Sequence, residues 1–111
     1  MHYERLSASF VRRYINRYFS TPVSEVSKDI LEEYSYQRCA AYEILDRITN
    51  NPDKDGRIIV EDYIRQMHKY ASNALDKDQY WNYGRRFALG QEVTEDILVW
   101  FIINGRRKDD E

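Results

Sequence analysis

The feature that most limits what this chain can fold into is a pair of apolar-periodic segments joined by one short polar run. Over residues 30–48, Ile30, Leu31, Tyr34, Ala41, Ile44, Leu45 and Ile48 recur in steps built from threes and fours, and over 58–75 the rhythm returns in Val60, Tyr63, Ile64, Met67, Ala71, Ala74 and Leu75. Such spacing lines up side chains on one face of a helix, and that face must be buried. Between the two segments stands Asn50-Asn51-Pro52-Asp53-Lys54-Asp55-Gly56. A connection this short predicts two antiparallel helices packed as a hairpin.

The flanks extend the same pattern. A first helix is expected over residues 3–19, with Tyr3, Leu6, Phe10, Tyr14 and Tyr18 as its stripe, widened by Val11 and Ile15. Ser20-Thr21-Pro22 breaks it, because Thr21 can cap and Pro22 suits a first helical turn. From Val23 the next helix reads either as one long rod or as a short turn followed by a helix from about Lys28. Asp76, three residues before Gln79, has the spacing of a capping box and opens a last helix. Its face is Tyr80, Tyr83, Gly84, Phe87, Thr94, Ile97, Leu98 and Phe101. Gly90 predicts a bend or break there, or else the close approach of a neighbouring helix. Asn104-Gly105 supplies the stop signal. The expected architecture is therefore all-α: a four-helix, bundle-like single domain over residues 1–105 around the central hairpin, with 106–111 as a charged tail.

Composition narrows the function classes. With 111 residues the chain can bury a core without disulfides or metal, and a 32% share of charged residues marks it as soluble. Its one cysteine, Cys39, has no internal partner and no Cys or His at ligand spacing, which points to a reducing, cytoplasmic setting. No run approaches the ~18 apolar residues of a membrane span, and the N-terminus lacks the apolar run of a signal peptide. Net charge is −2, yet residues 1–21 carry four Arg against one Glu while residues 22–50 carry three basic against six acidic groups. These poles are too weak for a nucleic-acid protein or an acidic mimic of one.

One stretch suggests metal chemistry. Asn51, Asp53, Asp55, Gly56, Ile58 and Asp62 resemble positions one, three, five, six, eight and twelve of an EF-hand calcium loop, whose alternating oxygens wrap the ion. Asn replaces the first Asp, Asp62 replaces the closing Glu, and Pro52 stiffens the start. The competing account makes the run a helix connection, with Asp55 capping the following helix and Gly56 easing the turn. Catalysis has thin material: His2 is terminal, His68 sits at the edge of a helical stripe, and no triad or Glu-x-x-His pair exists. No cofactor and no enzymatic activity are expected.

Ten tyrosines are the compositional oddity. Tyr14, Tyr18, Tyr34, Tyr63 and Tyr70 fit core or core-edge positions, whereas Tyr80, Trp81 and Tyr83 crowd beside Arg85 and Arg86, the residue types of binding hot spots. Arg12 and Arg13 form a second candidate surface on the first helix, which also carries the alternative of nucleic-acid binding. Trp100, Ile102 and Ile103 flank the last helix's core face and leave homo-oligomerisation open.

The runs Arg38-Cys39-Ala40-Ala41-Tyr42-Glu43-Ile44-Leu45-Asp46-Arg47-Ile48, Val60-Glu61-Asp62-Tyr63-Ile64 with Met67 and Tyr70-Ala71, and Glu95-Asp96-Ile97-Leu98 with Phe101-Ile102 resemble small helical proteins carried by Firmicutes genomes and their mobile elements. The resemblance covers roughly residues 34–102 and implies packing rather than a reaction. In such proteins the loop before the third helix is often Pro-rich. Together these features point to a small, non-enzymatic protein-binding domain, with a host-directed or defence-inhibiting role as the setting the resemblance implies.

Overall fold

The structure, a computed structural model, describes residues 5–72 and 77–104, with side chains at 5–69 and 88–104. Its elements are α1 (Ala8–Tyr18), a 3-10 turn at Val23–Glu25, α2 (Leu31–Thr49), α3 (Gly56–Ser72) and α4 (Lys77–Asn104). Among the described residues there is no strand, and the four helices pack on one another as one all-α domain. No helix among them is long and apolar enough to cross a membrane.

α1 starts later than the stripe predicts. Ser7 caps it, its Oγ accepting from the Phe10 N–H at 3.2 Å, and residues 5–7 are not helical. The reason is non-local: the Leu6 N–H and C=O are both engaged by the loop before α3. The helix ends at Tyr18, where the Phe19 N–H bonds to the Ile15 carbonyl. Beyond it Thr21 does not cap a helix; its carbonyl accepts the Tyr34 hydroxyl at 2.7 Å. Of the two readings for the next segment, the turn followed by a helix is the one formed, and Ile30, just before α2, is exposed.

α4, 28 residues long, packs against both α3 and α2, and these two touch each other less than either touches α4. The hairpin is thus joined through the last helix rather than standing alone at the centre. The buried core draws Phe10, Val11, Tyr14 and Ile15 from α1, Ile44 and Ile48 from α2, Val60 and Tyr63 from α3, and Val93, Ile97 and Phe101 from α4. Thr94 is buried among them with its hydroxyl donating to the Gln91 carbonyl. α4 runs unbroken through Gly90. That residue meets the close approach expected as the alternative to a bend, since a Cβ there would lie 3.6 Å from Tyr63 Oη and 3.9 Å from Ala40 Cβ.

Candidate binding cleft

Two places concentrate polar groups. At the loop before α3, Asp55 caps the helix through its Oδ1, which accepts from the Arg57 N–H at 3.0 Å and from the Leu6 N–H at 3.2 Å. Its Oδ2 takes both the Nε and Nη2 of Arg57, at 3.0 and 2.6 Å. Burial alone would raise this carboxyl, but the bonds from the Arg57 side chain and from the two backbone N–H groups outweigh it and hold Asp55 below its ordinary value. Arg5 donates to the Asp53 carbonyl, and the Gly56 N–H donates to the Leu6 carbonyl at 3.0 Å. Gly56 has no positive φ. It is required because a Cβ would run into the Leu6 carbonyl oxygen and approach Ile48 Cδ1 to 2.9 Å, a close-packing demand rather than a turn demand.

The four candidate calcium ligands therefore face different partners. Asn51 donates its side-chain amide to the Arg47 carbonyl, Asp55 is engaged as above, Asp62 pairs with Arg65, and Asp53 is met through its carbonyl. No group of three or more His, Cys, Asp or Glu suited to a metal ion occurs among the described residues. The loop works as a latch that ties the N-terminal segment to the start of α3.

The second place is a cleft of about 420 Å³ lined by Tyr14, Tyr18, Phe19, Tyr34, Gln37, Glu92, Val93 and Asp96. α1 supplies the first two tyrosines, α2 supplies Tyr34 and Gln37, and α4 supplies the acidic side. The rings form a connected wall: Tyr14 stands 5.0 Å from Tyr18 and 5.9 Å from Phe19, and Phe19 stands 5.5 Å from Tyr34, centroid to centroid. Trp100 backs it at 5.9 Å from Tyr14 and 6.1 Å from Tyr18. Tilted and edge contacts at these separations are favourable ring geometries, so the wall is pre-formed. Tyr18, placed in the core stripe by periodicity, is instead 47% exposed.

The acidic side is oriented by neutral donors. The Tyr14 hydroxyl donates to Asp96 Oδ2 at 2.7 Å, and Gln37 Nε2 donates to Glu92 Oε2 at 2.9 Å. Burial, and then the bond to Asp96, push the Tyr14 hydroxyl well above its ordinary value, so it remains a proton donor. Both carboxylates are exposed, and among the described residues no Lys, Arg or His pairs with either. Elsewhere the chain covers its own rings with arginine: Arg13 lies over Phe10, Arg38 over Tyr42, Arg47 over Tyr63 and Arg57 over Phe101, at 4.7 to 5.5 Å. The tyrosines of the cleft have no such cover among the described residues.

Of the partner-binding residues expected from sequence, Tyr80, Trp81, Tyr83, Arg85 and Arg86 lie on α4 but outside the described side chains. Arg12 is exposed on α1, and Arg13 is half-buried against Phe10. His68 is exposed. Sequence reasoning missed Gln37, Glu92 and Asp96, although Glu92 and Asp96 stand four apart on one helix, as Tyr14 and Tyr18 do. Compared with family models, with curated proteins and with solved structures, the chain matches none of them.

Proposed function

We propose that this protein is a non-enzymatic binding domain that receives a segment of a partner protein in the cleft between α1, α2 and α4, in a reducing, cytoplasmic setting. One observation carries the reading: an aromatic wall faces two carboxylates that are held in place by neutral donors and that no cationic side chain among the described residues neutralises. Concave sites with apolar walls and a few oriented polar groups are where ligands bind. Rigid tyrosines supply contact area at little entropic cost.

The test is selection of peptides from a random displayed library on the parent protein, followed by binding of those peptides to two variants. Loss of binding to Tyr18→Ala with Glu92→Gln, and retention by Trp81→Ala with Arg85→Ala, supports the cleft. The reverse pattern moves the site to the beginning of α4.

A second reading has its own observation. Val99, Ile102 and Ile103 are 52%, 60% and 61% exposed on the last turns of α4, a surface that self-association would cover. Light scattering on the parent and on Ile102→Lys with Ile103→Lys decides it: a dimer in the first and a monomer in the second supports self-association, and a monomeric parent removes it.

A further inference from the structure

We propose that the occupant of the cleft is an arginine side chain of the partner segment, its guanidinium stacked on the Tyr18 and Tyr34 side and forked onto Glu92 and Asp96. The inference rests on the reading of the cleft as the binding site and adds the chemistry of what enters it.

Three features converge on a guanidinium. The charge requirement comes first: two carboxylates rim the cleft, and their oriented oxygens accept only from Tyr14 and Gln37, neither of which brings a positive charge. Asp96 Oδ1 and Glu92 Oε1 have no donor among the described residues. A cation placed there meets an acceptor already aimed by its neighbour, so little ordering is lost on binding.

Shape comes second. The wall is built of flat rings, and a planar guanidinium stacks on such faces while its five N–H groups reach carboxylate oxygens in a fixed fork. A lysine ammonium is a compact, strongly hydrated point charge that cannot stack and fork together. A divalent ion fits worse, because the open wall offers aromatic carbon rather than the six or more oxygens that calcium takes.

The third feature is the chain's own usage. Arg13, Arg38, Arg47 and Arg57 each lie over an aromatic ring elsewhere in the molecule, and Arg57 in addition forks its Nε and Nη2 onto one carboxylate. Arg57 with Asp55 and Phe101 is thus an internal copy of the proposed contact: a guanidinium on a ring at 5.5 Å and on an acid at 2.6 Å. The cleft presents the ring and the acid, and the one described guanidinium bonded at its lining, Arg38, is taken up by the Phe19 carbonyl at 3.3 Å and the Tyr42 ring rather than by either carboxylate.

Trp100, in ring contact with Tyr14 and Tyr18, is a built-in reporter. In a Trp81→Phe background it is the sole indole, since the chain has two tryptophans. The probes are blocked Gly-Ser-Arg-Ser-Gly, its lysine counterpart and its citrulline counterpart, the last being a neutral near-isostere of arginine. Titration into the full chain should give a saturable fluorescence change with the arginine peptide in the millimolar range. The citrulline peptide should bind at least tenfold more weakly and the lysine peptide several-fold more weakly. Glu92→Gln with Asp96→Asn should weaken the arginine peptide about tenfold or more while leaving the citrulline peptide where it was. Tyr18→Ala should weaken all three.

Equal binding of arginine and citrulline peptides overturns the inference, as does a preference for lysine or the absence of a saturable change with arginine. Display peptides that depend on the cleft yet contain no enriched arginine would overturn it too, while leaving the cleft as the binding site. Failure of the reading itself looks different, since no selected peptide would then respond to the cleft substitutions.

Discussion

At the N-terminal end of α1, Asp55 spends both carboxylate oxygens inside the chain, on two backbone N–H groups and on the Arg57 guanidinium. At the C-terminal end of the same helix, Asp96 and Glu92 each give one oxygen to a neutral side chain, and the other has no donor among the described residues. The first arrangement closes a loop on the N-terminal segment and leaves little for an outside group to do. The second spends a hydrogen bond on orientation and keeps the charge available. Position in sequence says little about which role an acidic residue takes; what decides it is whether the donor that holds it also cancels its charge.

The contrast is broken most forcefully at Gly56. Gly56→Ala drives a methyl into the Leu6 carbonyl, and the latch must open or the α2–α3 connection must shift; a loss of about 3 kcal/mol is expected, read from chemical denaturation. A parent-like midpoint would mean that the latch is loose and the two ends are not so different.

Asp55→Ala comes next, at about 2 kcal/mol, because it removes the cap of α3 and strands the Leu6 N–H. The charge itself is read by pH. Since the folded carboxyl titrates below its ordinary value of 3.8, its contribution is full above that value and is lost as pH falls through it and below. Acid melts should therefore separate the parent from Asp55→Asn at neutral pH and bring them together as the solution is acidified.

Tyr14→Phe is expected to cost about 1 kcal/mol, the net worth of one hydrogen bond to a group that water can still reach. It should also flatten the alkaline limb. Tyr14 stays protonated in the fold while an unfolded tyrosine ionises near its ordinary value of 10, so its contribution is full below that pH and is lost as pH rises beyond it. Tyr63, raised by burial and by nearby Glu43, keeps part of that limb in the variant.

The smallest stability effect belongs to Glu92→Gln with Asp96→Asn, a change within about 0.5 kcal/mol of the parent, as for exposed substitutions generally. Peptide binding should fall in this variant all the same. A large loss of stability would place these acids with Asp55 as fold-holding groups and would erase the distinction.

Local periodicity made the helices legible. Phe10, Val11, Tyr14 and Ile15, then Ile44 and Ile48, Val60 and Tyr63, and Ile97 and Phe101 are buried as their three-and-four spacing requires. The Asp55 cap was readable for the same reason, being a contact between near neighbours. What spacing could not show depends on residues far apart in the chain. Ser7 starts α1 because Leu6 is held by residues 55 and 56, and Gly56 is needed for that approach rather than for a turn. The cleft belongs to the same class, since Tyr14 and Asp96 are 82 positions apart. Ile30 and Tyr18 misled in the opposite direction, as apolar or aromatic residues in helical register that the packing leaves exposed.

The most direct test of the central claim is an amide NMR titration of the full chain with a peptide selected by the parent protein. Shifts should cluster at residues 18–21, 34–38 and 92–96, around the cleft, with residues 5–8 and 53–57 unmoved. Shifts concentrated at the latch, with the cleft silent, would contradict the claim.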